Sequence, residues 1–344
     1  PLIATSGKDV DFIDKRWVEH TYFLTRQYNK PEKLPDAVLH HENINYPLAA
    51  SGTVLRNDDG SLGFYYQTTP RHRPWAGIAE DTPASLKKKW AKTGGLYRYY
   101  LHYASSTNGV NWEIPNLGLR HAYEVNRNAE TITEEGPATI LVKKHDDKNN
   151  NIVLAENEVG ADGNVLTASA GVGGGFCVLD ARQTPHPASR GRYTALFQRS
   201  GFRFAYSDDG LHWKVYPIEE RNIYKNSSDT YNTFIYDQKR GLYYLFHRPN
   251  TSLVKPCCGD ARAVARIESK DLIHWENSRI VLDMDELDGP AQGRTSPGSP
   301  ETRGRGLQFY GFTVRPYQDI YIGLALVFDS YSLEMWQELV YSYD

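Results

Sequence analysis

Short runs rich in β-branched and aromatic residues recur along this chain, each bounded by Asp, Gly, Asn or Pro. Ser51 to Asn57 (SGTVLRN) and Leu62 to Thr68 (LGFYYQT) flank the turn Asp58-Asp59-Gly60. Phe176 to Asp180 (FCVLD) is followed by Tyr193 to Gln198 (YTALFQ), and Thr233 to Tyr236 (TFIY) by Leu242 to His247 (LYYLFH). Leu307 to Val314 (LQFYGFTV) and Ile320 to Phe328 (IYIGLALVF) form a further pair. Composition and bounding turns predict strands for all of them. Only Pro83 to Lys92 (PASLKKKWAK) reads as a short helix, an excursion between strands.

A longer repeat overlies this pattern. Tyr103 to Pro115 (YASSTNGVNWEIP), Tyr206 to Pro217 (YSDDGLHWKVYP) and Ile267 to Ser278 (IESKDLIHWENS) each read as a strand, a polar turn and a Trp. The aligned tryptophans are Trp112, Trp213 and Trp275. Asn108-Gly109 and Asp209-Gly210 tolerate positive φ in a tight turn, and the third copy uses Lys270-Asp271. Each Trp is expected to pack between neighbouring sheets. A fourth copy begins at Val340 to Asp344 (VYSYD), so C-terminal strands beyond it are an expectation of the repeat.

Hairpins repeated in register predict radial repetition of a small antiparallel sheet. The fold expected is all-β, a five-bladed β-propeller occupying 1–344 as a single domain. Four sheets are legible directly. A fifth is expected from Asn151 to Ala155 (NIVLA) with neighbours, or from an N-terminal strand such as Val10 to Ile13 (VDFI).

Composition narrows the partners. A net charge of −3 over 344 residues offers no electrostatic case for nucleic acid or an anionic membrane. No stretch is apolar for the length a spanning helix needs. The 24 Tyr and 7 Trp suit pleated, half-buried surfaces and also stack on sugar rings. Three cysteines make neither a disulfide framework nor a zinc site. Cys257 and Cys258 are either a vicinal disulfide or two thiols. The first residue is Pro1, which fits removal of a signal peptide or trimming, and a secreted or periplasmic location is the expectation.

At these repeats the chain resembles the five-bladed propeller glycosidases, the group containing glycoside hydrolase families 32, 43, 68 and 117. It is most similar to uncharacterised bacterial family 32-like proteins. The residues carrying the resemblance are DVDFIDKRWVE, WEIPNLGL, NNNIVLA, SDTYNTFIYDQKRGLYYLFHR and RIESKDLIHW. The family 32 hallmarks, a WMNDPNG-like opening, RDP and an EC motif, are missing. The resemblance implies an O-glycosyl hydrolase acting on oligo- or polysaccharides, without cofactor or metal. A non-catalytic carbohydrate-binding propeller, and a glycoside phosphorylase or transglycosidase, are the alternatives.

Glycoside cleavage uses two carboxyl groups, one protonated and one ionised. Acids at the start of the innermost strands would line a propeller's funnel, so Asp229, Glu42 and Glu301 are the catalytic candidates, in unassigned order. Asp229 precedes TFIY and reads equally as an Asx-turn. Glu42 lies in LHHENINYP beside His41, and Glu301 in the Gly- and Pro-rich SPGSPETRGRG. His41, His247, Arg248, Arg303 and Trp75 are the substrate-binding candidates, with Arg303 or Arg305 suited to a substrate anion. Asp58, Asp208, Asp209 and Asp271 read as solvated turn formers, Asp180 as structural, and Arg266 as half of a salt bridge. HDDKNNN (His145 to Asn151) lacks the spacing of a calcium loop, and GVGGG (Gly171 to Gly175) that of a P-loop.

Overall fold

A computed structural model describes residues 34–39, 48–68, 100–120, 123–126, 132–133, 136–137, 141–144, 150–155, 174–198, 201–217, 220, 232–249, 262–283, 307–329 and 332–343. The chain divides into two compact units, Pro1–Val38 and Leu39–Asp344. All the structure discussed below belongs to the second. No α-helix occurs among the described residues, and Pro83 to Lys92 and Val10 to Ile13 lie outside them.

Four antiparallel sheets follow one another along the chain. The first contains β1 (Leu48–Arg56), β2 (Leu62–Thr68), β3 (Tyr100–Ser106) and β8 (Ile152–Ala155), in the order β1-β2-β3-β8. Between β3 and β8 lie two small ribbons. One pairs β4 (Tyr123–Asn126) with β7 (Leu141–Lys144), the other β5 (Ile132–Thr133) with β6 (Gly136–Pro137). The second sheet is β9 (Gly174–Asp180), β10 (Tyr193–Gln198), β11 (Phe202–Ser207) and β12 (Lys214–Val215). The third is β13 (Thr233–Asp237), β14 (Leu242–His247), β15 (Val264–Ser269) and β16 (Trp275–Leu282). The fourth has three strands, β17 (Leu307–Tyr317), β18 (Ile320–Asp329) and β19 (Met335–Ser342).

The first strand of every sheet faces a common axis. Hydrogen bonds link these inner strands in sequence: the Val178 amide donates to Thr53 Oγ1 (3.1 Å), Cys177 Sγ to the Phe234 carbonyl (3.7 Å), and Thr233 Oγ1 to the Phe312 carbonyl (2.9 Å). The Arg315 guanidinium reaches from β17 to the Val54 carbonyl of β1 (3.3 Å). Radial sheets around an axis make this an all-β propeller, with four blades among the described residues where the repeat predicts five.

One assignment of the fifth blade is corrected. Ile152–Ala155 is the fourth strand of the first sheet, paired with Tyr100 to His102, and not part of a further sheet. The reason is a buried polar network: Asn151 donates to Tyr66 Oη (2.8 Å) and the Tyr103 carbonyl (2.7 Å), and meets His102 Nδ1 at 2.8 Å. His102 Nε2 in turn lies 2.8 Å from Thr68 Oγ1. Satisfying these groups inside the first sheet anchors the strand there.

The repeat is carried by identical turn chemistry. The third strand of the four sheets ends on Ser106, Ser207, Ser269 and Ser342. In the first three, the serine hydroxyl accepts the amide three residues on, from Gly109, Gly210 and Leu272, at 2.9 Å each. Asn108, Asp209 and Asp271 then accept two amides apiece through Oδ1. Each Trp indole finally donates back to the turn carbonyl, at 3.0, 2.9 and 3.0 Å for Trp112, Trp213 and Trp275. Gly109 and Gly210 hold φ near +76° and +77°; Leu272 takes the same conformation at +67° because its side chain is fully buried.

Apolar clusters fill the space between successive sheets. Trp213 lies between the first and second with Tyr65, Leu55 and Phe197. Trp275 packs against the cluster of the second and third, around Phe204, Phe234 and Leu245. The third cluster, between the last two sheets, holds Phe246, Phe309 and Tyr321 and, among the described residues, no Trp. Trp112 packs instead on Phe64 within the first sheet, 5.4 Å between ring centroids. Burying side chains of this size contributes about 1.5–3 kcal/mol each, which outweighs the thin hydrogen bonding between blades.

Candidate functional site

The inner strands enclose a cavity of about 340 Å³ on the propeller axis. Its wall takes residues from all four sheets, among them Thr53 of β1, Cys177 and Asp180 of β9, Thr233 and Tyr236 of β13, and Val314 and Arg315 of β17. Asn232, the residue just before β13, also faces it. Asn232 is 3% exposed, and neither its amide nitrogen nor its oxygen has a hydrogen-bond partner. A buried carboxamide left so costs roughly 1–3 kcal/mol, and it offers two donors and an acceptor to anything that fills the cavity.

The charged groups at this wall are engaged. Asp180 meets Arg192 at 2.9 Å and accepts the Arg182 amide at 2.9 Å. Arg192 bridges on to Asp58 at 2.8 Å, and Arg182 pairs with the same carboxylate. Hydrogen bonds from Arg192 and Arg182 hold the Asp58 carboxyl below its usual range. This network ties the first sheet's turn to the second's. Asp237 does the same for the third and fourth: it accepts from Arg240 (2.9 Å) and from the Tyr321 hydroxyl. Burial raises its carboxyl, but those hydrogen bonds outweigh it and the net shift is downward. Burial pushes the Cys177 thiol up, so it stays protonated and a poor nucleophile. Beside the exposed Arg315 guanidinium, which donates to the Val54 carbonyl, the wall presents neutral hydrogen-bonding groups such as the Asn232 carboxamide, suited to a ligand rich in hydroxyls.

The candidates named from sequence fall into two groups. Asp229, Glu42, Glu301, His41, Arg303 and Trp75 lie outside the described residues, as do Arg305, Cys257 and Cys258. His247 and Arg248 are described, at the end of β14 beside the fourth sheet, and neither lines the axial cavity. His247 is 2% exposed, its Nδ1 lies 2.8 Å from the Arg248 carbonyl, and burial depresses its pKa to about 4. The Arg248 guanidinium stands over the Tyr310 ring at 5.6 Å, and Arg262 over the same ring at 4.8 Å. Arg266 pairs with Glu268 at 2.8 Å. Among the described residues, no three His, Cys, Asp or Glu side chains are grouped to hold a metal ion.

The place of Asn232 just before TFIY is legible in the sequence, but an uncharged carboxamide carries no signal for acid–base chemistry, and its lack of a partner is set by packing. The Thr68–His102–Asn151 network gives no linear signal at all, its members lying on β2, on β3 and just before β8.

No protein-family model and no curated protein matches the sequence. Among solved structures, the chain is similar to an endo-arabinase from Bacteroides thetaiotaomicron, at 10% identity, covering 85% of this chain and 75% of that one, with a TM-score of 0.41. An α-L-arabinofuranosidase from Fusarium graminearum gives 9% identity over 87% and 64%, with a TM-score of 0.42. An N-acetylgalactosamine deacetylase from F. plautii gives 14% over 91% and 54%, with a TM-score of 0.29. Likeness at this level assigns no activity.

Proposed function

We propose that the chain is a glycoside hydrolase that draws a terminal sugar into the mouth of the propeller axis and cleaves it with carboxylates placed there. The observation that carries this reading is the identity of the inner strands. Glu42, Asp229 and Glu301 each stand in sequence within six residues of an inner strand's start, before Leu48, Thr233 and Leu307 respectively. In sequence, the three candidate acids thus precede the inner strands of three separate blades, and those strands line one cavity. Asn232, three residues after Asp229, supplies hydroxyl-recognising groups on that wall. One acid would protonate the leaving oxygen while another acts as base or nucleophile. A fifth blade and export from the cell belong to the same proposal.

The test is a product screen of the purified protein against plant, algal and bacterial glycans. Release of a defined sugar, reduced at least about 100-fold in Asp229→Asn or Glu301→Gln, supports the proposal. Sugar binding with no turnover over long incubation would replace it with a carbohydrate-binding propeller.

A further inference from the structure

Arg192, Arg240 and Arg266 each meet a carboxylate, that of Asp180, Asp237 and Glu268, at 2.9, 2.9 and 2.8 Å. Arg262 is held differently. Its Nη1 donates to Gln308 Oε1 at 2.5 Å, and its guanidinium carbon lies 4.8 Å from the Tyr310 ring centroid and 5.8 Å from that of Phe328. Among the described residues no carboxylate meets it, and its Nε and Nη2 have no partner and are not buried.

These neutral supports fix the guanidinium without cancelling its charge. Gln308 is 4% exposed, so a buried carboxamide sets the orientation of the fork. A glutamate there would neutralise it; a glutamine does not. The two aromatic rings attract the cation through their quadrupoles and likewise leave its charge intact. Arg248 brings a second guanidinium to the same Tyr310 ring, at 5.6 Å. A cation held in one orientation, with N–H groups turned to solvent, is suited to a planar or tetrahedral anion.

The backbone places this group on the approach to the axial cavity. The Arg262 carbonyl accepts the Phe309 amide at 2.9 Å, which sets Arg262 beside the start of β17. Thr313, Val314, Arg315 and Pro316, later in the same strand, line the cavity. Thr233 donates to the Phe312 carbonyl, which brings Asn232, the preceding residue, to the stretch between them. Phe309 and Phe312 are three residues apart, roughly 10 Å along a strand. A guanidinium and an unpaired carboxamide thus succeed one another along β17 toward the axis.

We propose that Arg262, set by Gln308 and Tyr310, recognises an anionic sugar unit, a uronate or a sulfate ester, in the glycan whose neighbouring unit enters the axial cavity. The guanidinium donates from Nε and Nη2 to two oxygens of the anion, a fork that lysine cannot match. The anionic unit lies outside the cavity, a placement that rests on the glycosidase reading.

Titration calorimetry of the purified chain with two matched pairs tests this: an oligogalacturonate against its methyl ester, and a sulfated galactan oligosaccharide against its desulfated form. The charged member of at least one pair should bind at least about tenfold more tightly than its neutral partner. That preference should shrink as salt is raised and vanish in Arg262→Gln. The pair that shows it tells a carboxylate from a sulfate. Should Arg262→Gln fail to fold, hydrogen exchange on the unaltered chain decides: the charged member should protect 307–312 more than the neutral one. Equal binding within both pairs, no binding of any member, or a preference that survives in Arg262→Gln overturns the proposal. Turnover is read separately. Charge-dependent binding without cleavage removes the glycosidase reading and leaves Arg262 its role, whereas cleavage of a neutral glycan that is indifferent to Arg262→Gln removes this proposal alone.

Discussion

Trp275 lies flat on Phe204 across the boundary between the second and third blades, 6.1 Å apart and within 4° of parallel. The indole nitrogen is simultaneously fixed by the Leu272 carbonyl, so one residue closes its own turn and seals a blade junction. Replacing Trp275 or Phe204 with Ala removes both packing and coupling. Each should cost about 2–4 kcal/mol in urea denaturation. The double variant should cost less than the sum by roughly 1 kcal/mol. Strict additivity would mean the two rings do not support each other.

The repeated turns predict an acid-sensitive element. Burial raises the Asp271 carboxyl, but hydrogen bonds from the His274 ring and from backbone amides outweigh it and bring the pKa to about 2. A carboxylate held below its unfolded value stabilises the fold above about pH 4, and that contribution is lost as pH falls toward 2. Asp271→Asn keeps one acceptor for the two amides but cannot titrate. Melting temperature should therefore fall less steeply from pH 4 to pH 2 in Asp271→Asn than in the parent, and parallel curves would remove Asp271 from the account.

The blade repeat was legible because its turns need particular atoms at particular offsets: a hydroxyl at Ser207, a carboxylate at Asp209, positive φ at Gly210, an indole at Trp213. Leu272 shows how far that legibility extends. It departs from the glycine pattern, yet the turn persists because its buried side chain offsets the backbone cost. The fourth strand of the first sheet was misplaced for the opposite reason. Two ribbons separate it from β3, and only the buried contacts of Asn151 with His102 and Tyr66 reveal where it pairs. The axial wall was half legible: inner strands could be picked out, but which polar side chain would be left unpaired depends on packing.

His186 gives a second pH prediction with a different window. It is buried against Tyr243, whose hydroxyl lies 2.7 Å from Nδ1, and burial alone lowers its pKa to about 4. The unfolded chain binds this proton near pH 6.5 and the native state does not, so stability falls as pH drops from about 6.5 to 4. The loss should be on the order of 3 kcal/mol for this site. His186→Gln should flatten the denaturation free energy across that window; an unchanged slope would assign the acid sensitivity elsewhere.

Asn232 sets stability against binding. Its carboxamide is buried at the cavity wall with both ends unpartnered, a cost the fold bears with no structural return among the described residues. Asn232→Leu keeps the branched side-chain skeleton, its larger methyls facing the cavity, and removes the unpaired groups. It should raise the unfolding free energy by about 1–2 kcal/mol. If the wall recognises a hydroxylated ligand, the same change should weaken sugar binding or turnover at least about tenfold, because a ligand hydroxyl then meets an apolar surface. Denaturation and ligand titration on the same two proteins check both halves. A stabilised variant with undiminished sugar binding would show that Asn232 is idle and that the ligand lies away from this wall.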